Sequence, residues 1–324
     1  MRVPPICASV LAALLAACGG GASSPVPGGT LQPPVTEFPL TAAQGGPTGI
    51  AVGADRALWF TAFDGNAIGR ITTAGAVTAF PLPTANAGPS SIALGSDGAL
   101  WFTEFDASRV ARISTSGTIA EYVLPTAGSY PNAIAAGSDG ALWFTEQSNQ
   151  AIGRISTSGA IAEFPLPDRN SNPGPIVAGP DGALWFGEIG IGKIGRITTA
   201  GAISDYALPT ANSFPASIAA GSDGALWFTE DDGNRIGRIT MAGAVTEFPV
   251  PASRYPDGIA AGPDGALWFL ENAQVGRMTT AGVLTEFPLA RLSTGSLNAV
   301  VAGPDGAVWF TDRFGNAIGR AIGR

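Results

Sequence analysis

The chain has 324 residues with 45 Gly, 26 Pro and only 13% charged residues, yet 45% are hydrophobic, the content of a folded core rather than of disorder. Its formal net charge of −8 supplies no basic stripe for phosphates and argues against nucleic acid as a partner. It contains no His, which excludes a Ser-His-Asp triad, His-ligated zinc and imidazole acid–base catalysis.

The first element is a leader. Arg2 precedes an apolar run from Ile6 to Ala17, too short to span a bilayer as a mature helix, and "LAAC" (15–18) ends it. That ending resembles the lipobox of bacterial lipoproteins, so residues 1–17 read as a signal peptide and Cys18 as the lipidated N-terminus. An ordinary secretory leader cut nearby is the alternative. The two cysteines, Cys7 and Cys18, both lie in this region, so the domain beyond holds neither a disulfide nor a Cys-ligated metal. Gly, Ser and Pro dominate the following "GGGASSPVPGGTLQPP", so residues 18–34 read as a lipidated Cys and flexible tether. The expected location is the bacterial cell envelope, facing the periplasm or the exterior, with the membrane reached through the lipid.

From Val35 onward the chain repeats. Seven tryptophans, Trp59, Trp101, Trp143, Trp185, Trp227, Trp268 and Trp309, stand 42, 42, 42, 42, 41 and 41 residues apart. A period of about 40 to 45 residues is that of a four-stranded propeller blade, so residues 35–324 predict an all-β, seven-bladed β-propeller. In one unit "PSSIALG" (89–95), "ALWFTE" (99–104), "RVARIS" (109–114) and "TIAEYVLP" (118–125) are successive strands. Asp97-Gly98 between the first two marks a hairpin, recurring in every unit except the first, where Asp55-Arg56 stands instead. These Asp residues read as turn formers rather than calcium ligands. The last unit lacks a fourth strand, and "VTEFPL" (35–40) matches it, so the N-terminal strand should complete the last blade and remove an open edge.

Variation concentrates in the loops joining fourth to first and second to third strands, such as "TANAG" (84–88), "TAGSY" (126–130), "DRNSN" (168–172), "ANSF" (211–214) and "ASRY" (252–255). That rim is the expected binding face, with Tyr130, Phe214 and Tyr255 as aromatic contacts for a small molecule, peptide or protein, and the molecule is expected to be a monomer. Each second strand but the first ends there on a carboxylate: Glu104, Glu146, Glu188, Glu230, Glu271 and Asp312, with Ala62 in the first. Two readings are open. The carboxylates form an acidic mouth around the central channel, with Glu271 and Asp312 as metal candidates, or each pairs with the Arg of the following strand, from Arg112 to Arg320.

Taken together, "P-x-x-I-A-x-G-x-D-G-A-L-W-F-T-E", "I-G-R-I-T" and "E-F-P-L-P" resemble the streptogramin B lyase (virginiamycin B lyase) family. The resemblance covers residues 35–324 and implies elimination at the ester of a cyclic depsipeptide, with Mg as cofactor and essential His and Glu residues on the rim of late blades. The positions matching those residues are Asp257, Ser296, Asn298 and Asp312, and each departs from the pattern. The imidazole base is missing, and an exposed Asp, with a pKa near 3.9, is a feeble base at neutral pH. The sequence therefore favours an envelope-tethered binding or scaffold propeller. A divergent lyase or lactone-acting enzyme using carboxylates and a metal comes second, and a purely structural envelope protein third.

Overall fold

A computed structural model describes residues 35–251, 254–272, 274–289 and 297–322. Cys18, Ser296 and the segments expected to be signal peptide and tether, residues 1–34, lie outside the described residues. The described chain forms seven four-stranded antiparallel sheets. Blade 2 shows the pattern: strands Pro89–Leu94, Leu100–Glu104, Arg109–Ile113 and Ile119–Val123 run in order from the inside outward. The first strands of neighbouring blades contact one another and ring the central channel.

The second strand of each blade is wholly buried, because both of its faces are covered. Its Trp and Phe point in opposite directions: Trp59 packs with Leu100 and Phe102 of the next blade, while Phe60 packs with Trp309 of the previous one. Every blade thus lends one aromatic to each neighbour. The Phe ring lies flat over the third strand, and at Gly153 an added Cβ would sit 2.1 Å from the Phe144 ring. Gly admits that approach without moving the ring, and blade 2 accommodates Ala111 opposite Phe102.

The hairpin Asp is more than a turn former. Asp97 Oδ1 accepts from the Trp101 indole N–H at 3.1 Å and the Ala99 amide at 3.2 Å, while Oδ2 takes Arg112 Nε at 2.6 Å. Both oxygens are spent inside the blade. The same ion pair recurs from Arg70–Asp55 to Arg320–Asp305, so the expected cross-strand pairing of Arg112 with Glu104, and its equivalents, is corrected. The reason is register. Arg112 stands opposite Trp101, and its guanidinium follows the indole toward the hairpin end of the blade rather than toward Glu104. Arg70, which lacks a Glu at position 62, has a carboxylate all the same. Arg56 takes the turn position that Gly holds elsewhere, with φ of 59°.

Closure is as expected. Val35–Pro39 pairs antiparallel with Ala317–Ala321, and Phe38 stacks on Trp309 at 5.4 Å between ring centroids. The inner ring closes as well, since Thr311 Oγ1 donates to the Thr48 carbonyl at 2.8 Å. Equivalent threonines stitch other inner strands together; Thr103 Oγ1 donates to the Asn132 carbonyl at 2.7 Å.

Candidate functional site

Blade 6 breaks the regular pattern. Its inner strand is reduced to Ile259–Ala261, whereas the other blades have six residues there. Leu270 replaces the threonine whose hydroxyl stitches one blade to the next, so a carbon side chain faces blade 7 where an inter-blade hydrogen bond would otherwise stand. Gly187 of blade 4 also lacks the threonine but keeps a full inner strand; where blade 6 combines the two departures, the rim holds a cavity of about 250 Å³ between blades 5 and 7. Leu270 and Leu297 supply apolar surface; Asp231, Asp257, Glu271, Asn298 and Arg313 supply polar groups; Tyr255 and Phe314 stand among its walls.

Several polar atoms of these groups are buried without a hydrogen-bond partner. Asp231 Oδ1, Asn298 Oδ1 and Arg313 Nε make no hydrogen bond, while a terminal nitrogen of Arg313 pairs with Asp64 at 3.2 Å; the unpaired oxygens of Glu271 recur at Glu104, Glu188 and Glu230 and belong to the blade pattern. Buried polar atoms are seldom left so, and a cluster of them in one cavity is the signature of a ligand or ordered water. Burial first, then the negative charge of Asp231, pushes Asp257 up to about 7; a hydrogen bond from the Gly258 amide opposes this. Burial first, then Glu286, pushes Glu271 up to about 8, opposed by Arg254. The expectation of an exposed, weakly basic Asp257 is therefore corrected. Near neutral pH its carboxyl is part protonated, and Glu271 is mostly a donor.

The acidic mouth is corrected too. Glu104, Glu146, Glu188 and Glu230 are fully buried and Glu271 and Asp312 nearly so, which leaves them beneath the rim rather than on it. In blades 2 to 6 a second carboxylate shares the face: Glu163 stands opposite Gly153, over which Glu146 reaches, and Glu121, Asp205, Glu247 and Glu286 hold the same register position as Glu163 in the blades of Glu104, Glu188, Glu230 and Glu271. Blade 1 replaces both members together, by Ala62 and Ala79. The carboxylates are an internal feature of the blade, and of the ring only Glu271 lines the cavity. Asp312 lies just below, its Oδ1 accepting from the Gly315 amide at 2.8 Å.

Among the described residues no three Asp, Glu, Cys or His side chains converge on a point that could hold a metal ion. The aromatic candidates fare differently. Tyr130, Phe214 and Tyr255 are all exposed on the rim, at equivalent places, with φ of 50°, 54° and 47°. Blades 1 and 2 place Gly46 and Gly88 there. A bulky residue in the left-handed region costs about 1–2 kcal/mol, so three exposed rings held there against strain point to contact with a ligand.

Sequence reasoning found Asp257 and Asn298 but missed Asp231, Leu270 and Arg313. The signal was there: the two 41-residue spacings flank Trp268, and "LWFLE" departs from the "LWFTE" of blades 2, 3 and 5.

These features define a seven-bladed propeller with a rim cavity spanning its late blades. The model of the virginiamycin B lyase family matches residues 29–213 and 152–323, and the chain belongs to that family. Staphylococcus aureus virginiamycin B lyase is 39% identical, with 90% of this chain and 99% of that chain covered and a TM-score of 0.85. A catalytically inactive His-to-Ala variant of the S. aureus enzyme with quinupristin is 38% identical, with 90% and 99% covered and a TM-score of 0.85. A streptogramin B lyase structure is 36% identical, with 90% and 97% covered and a TM-score of 0.85. No curated protein matches the chain by sequence.

Proposed function

We infer that this chain is a ligand-binding propeller of the virginiamycin B lyase family, tethered to the cell envelope, whose late-blade cavity holds a compact, amide-bearing ligand without breaking it. The observation that carries this is the group of buried, unpartnered polar atoms on Asp231, Asn298 and Arg313 around one predominantly polar cavity. Such a site rewards a ligand that offers both donors and acceptors. The relative that binds quinupristin is inactive once a single His is replaced by Ala, and this chain has no His at all.

Quinupristin is the natural probe. Titration calorimetry is expected to show saturable binding that Asn298→Leu weakens about tenfold, a loss of about 1.4 kcal/mol, while mass spectrometry shows the ring still closed with or without magnesium or manganese. Absence of binding would sink the reading.

One observation favours a second reading. With its pKa near 7, Asp257 is a far better proton acceptor than an exposed carboxylate, and it occupies the place that the family resemblance gives to an essential His. Elimination would then need ionised Asp257, so ring opening would rise with pH through about 7 and vanish in Asp257→Asn. Ring opening with that profile would replace the binding reading by a His-free lyase.

The tether rests on "LAAC" and the Gly/Ser/Pro-rich segment after it. Cys18→Ser is expected to move the protein out of the membrane fraction or block its processing, whereas Cys7→Ser does neither. A processed Cys18→Ser protein that still sediments with membranes would refute lipidation.

A further inference from the structure

A second opening lies on the same rim, across blades 2 to 4, away from the late-blade cavity. It has a volume of about 490 Å³, and its walls include Phe105, Tyr130, Gln147, Arg169, Asn170 and Asn172. Phe105 and Tyr130 form one platform, their ring centroids 5.0 Å apart and the planes tilted by 48°. Tyr130 is held there in the left-handed region, the strain noted above.

The rest of the wall is amide and guanidinium. The side chains of Gln147, Asn170 and Asn172 make no hydrogen bond within the described protein. Gln150 braces the wall, its Oε1 accepting from the Asn172 amide at 2.7 Å. Elsewhere an Asn makes this brace, as when Asn66 Oδ1 accepts from the Ala87 amide at 2.8 Å. The longer Gln reaches the amide one position further along the loop.

Arg169 is the most telling member. Ala85, Ala127 and Ala211 hold its place in the loops before blades 2, 3 and 5, so the framework does not need a charge there. Among the described basic side chains it is the one with neither an ion pair nor a hydrogen bond. A lone guanidinium in a cleft lined by amides and aromatics, on a protein of net charge −8, is placed for an anion that also carries hydroxyls and an apolar ring face.

We propose that this cleft binds a carboxylate-bearing sugar. The C–H face of a pyranose stacks on Tyr130 and Phe105; the free amides, each both donor and acceptor, match its hydroxyls; Arg169 takes the carboxylate through two parallel N–H bonds. The proposal rests on the reading of this rim as the ligand face and adds a site and ligand class to it.

The test is saturation-transfer NMR on the full chain with glucuronate, galacturonate and N-acetylmuramate, and with glucose and N-acetylglucosamine as neutral counterparts. At least one acidic sugar is expected to bind with saturation concentrated on its ring protons, at least tenfold more tightly than its neutral counterpart. Arg169→Ala, which only installs the residue of the sibling loops, should remove that preference, and Tyr130→Gly the ring-proton signal. Saturating quinupristin should leave the sugar signal in place. No binding by any acidic sugar, binding that ignores Arg169→Ala, or displacement by quinupristin would each overturn the proposal. Displacement would move the sugar to the late-blade cavity, while failure of quinupristin to bind leaves this measurement standing on its own.

Discussion

Deleting residues 35–40 is expected to lower the melting temperature by about 10 °C or more, whereas deleting residues 19–34 leaves it unchanged. The closing strand contributes five register pairs to the last blade and places Phe38 flat on Trp309. Phe38 is half-buried, but its loss together with the five strand pairs costs about 3–5 kcal/mol, and about 1 kcal/mol shifts the midpoint of a protein this size by roughly 2–4 °C. The open edge of Ala317–Ala321 would also be free to pair with other chains, so the truncated protein should aggregate on heating. Side-by-side melts decide it. Equal midpoints would show that Thr311 and the other inner-ring contacts close the propeller without the outer strand.

The second large effect is on pH. Burial before any other cause pushes Glu104, Glu230 and Glu271 up to about 8, and Glu146 and Glu188 up to about 7. In the unfolded chain the same groups titrate near 4.5. Between these values the folded protein holds protons that the unfolded chain has lost, so stability falls as pH rises from about 4.5 through 7 to 8 and then levels off. The hairpin aspartates act in the opposite sense. Burial opposes their ionisation, but hydrogen bonds from Trp and Arg outweigh it and hold Asp55, Asp97 and Asp139 below 3.8. Their contribution is complete above that value and is lost as pH falls through the folded pKa. The melting temperature should therefore peak near pH 5 and fall by several degrees by pH 8. Glu104→Gln keeps the shape, removes one titrating member and should raise the midpoint at pH 8 by about 2 °C or more while flattening the slope. A midpoint that does not change between pH 5 and pH 8 would show that these carboxyls ionise within the fold without penalty.

The sequence by itself determined the architecture. Seven tryptophans at a near-constant period, a turn-forming Asp in every unit and an orphan fourth strand at the N-terminus leave one ring closure, because each blade can bury its Trp and Phe only between two others. It also determined a chemical limit, since a chain without His cannot use an imidazole base. The candidate site was legible only in part: Asp257 and Asn298 could be placed by motif, but their company could not. Asp231, Leu270 and Arg313 come from three blades, and they meet where blade 6 combines the lost stitch with a shortened inner strand. Tertiary structure likewise decided the fate of the repeated Glu and Arg. Both recur in step along the chain, which invites pairing, yet they leave the blade toward opposite ends. Register sends Arg to the hairpin Asp and encloses Glu with a second carboxylate. Period fixes how many blades there are and how they close; direction and burial belong to the packed sheet, where neighbouring strands decide which charge meets water and which must keep its proton.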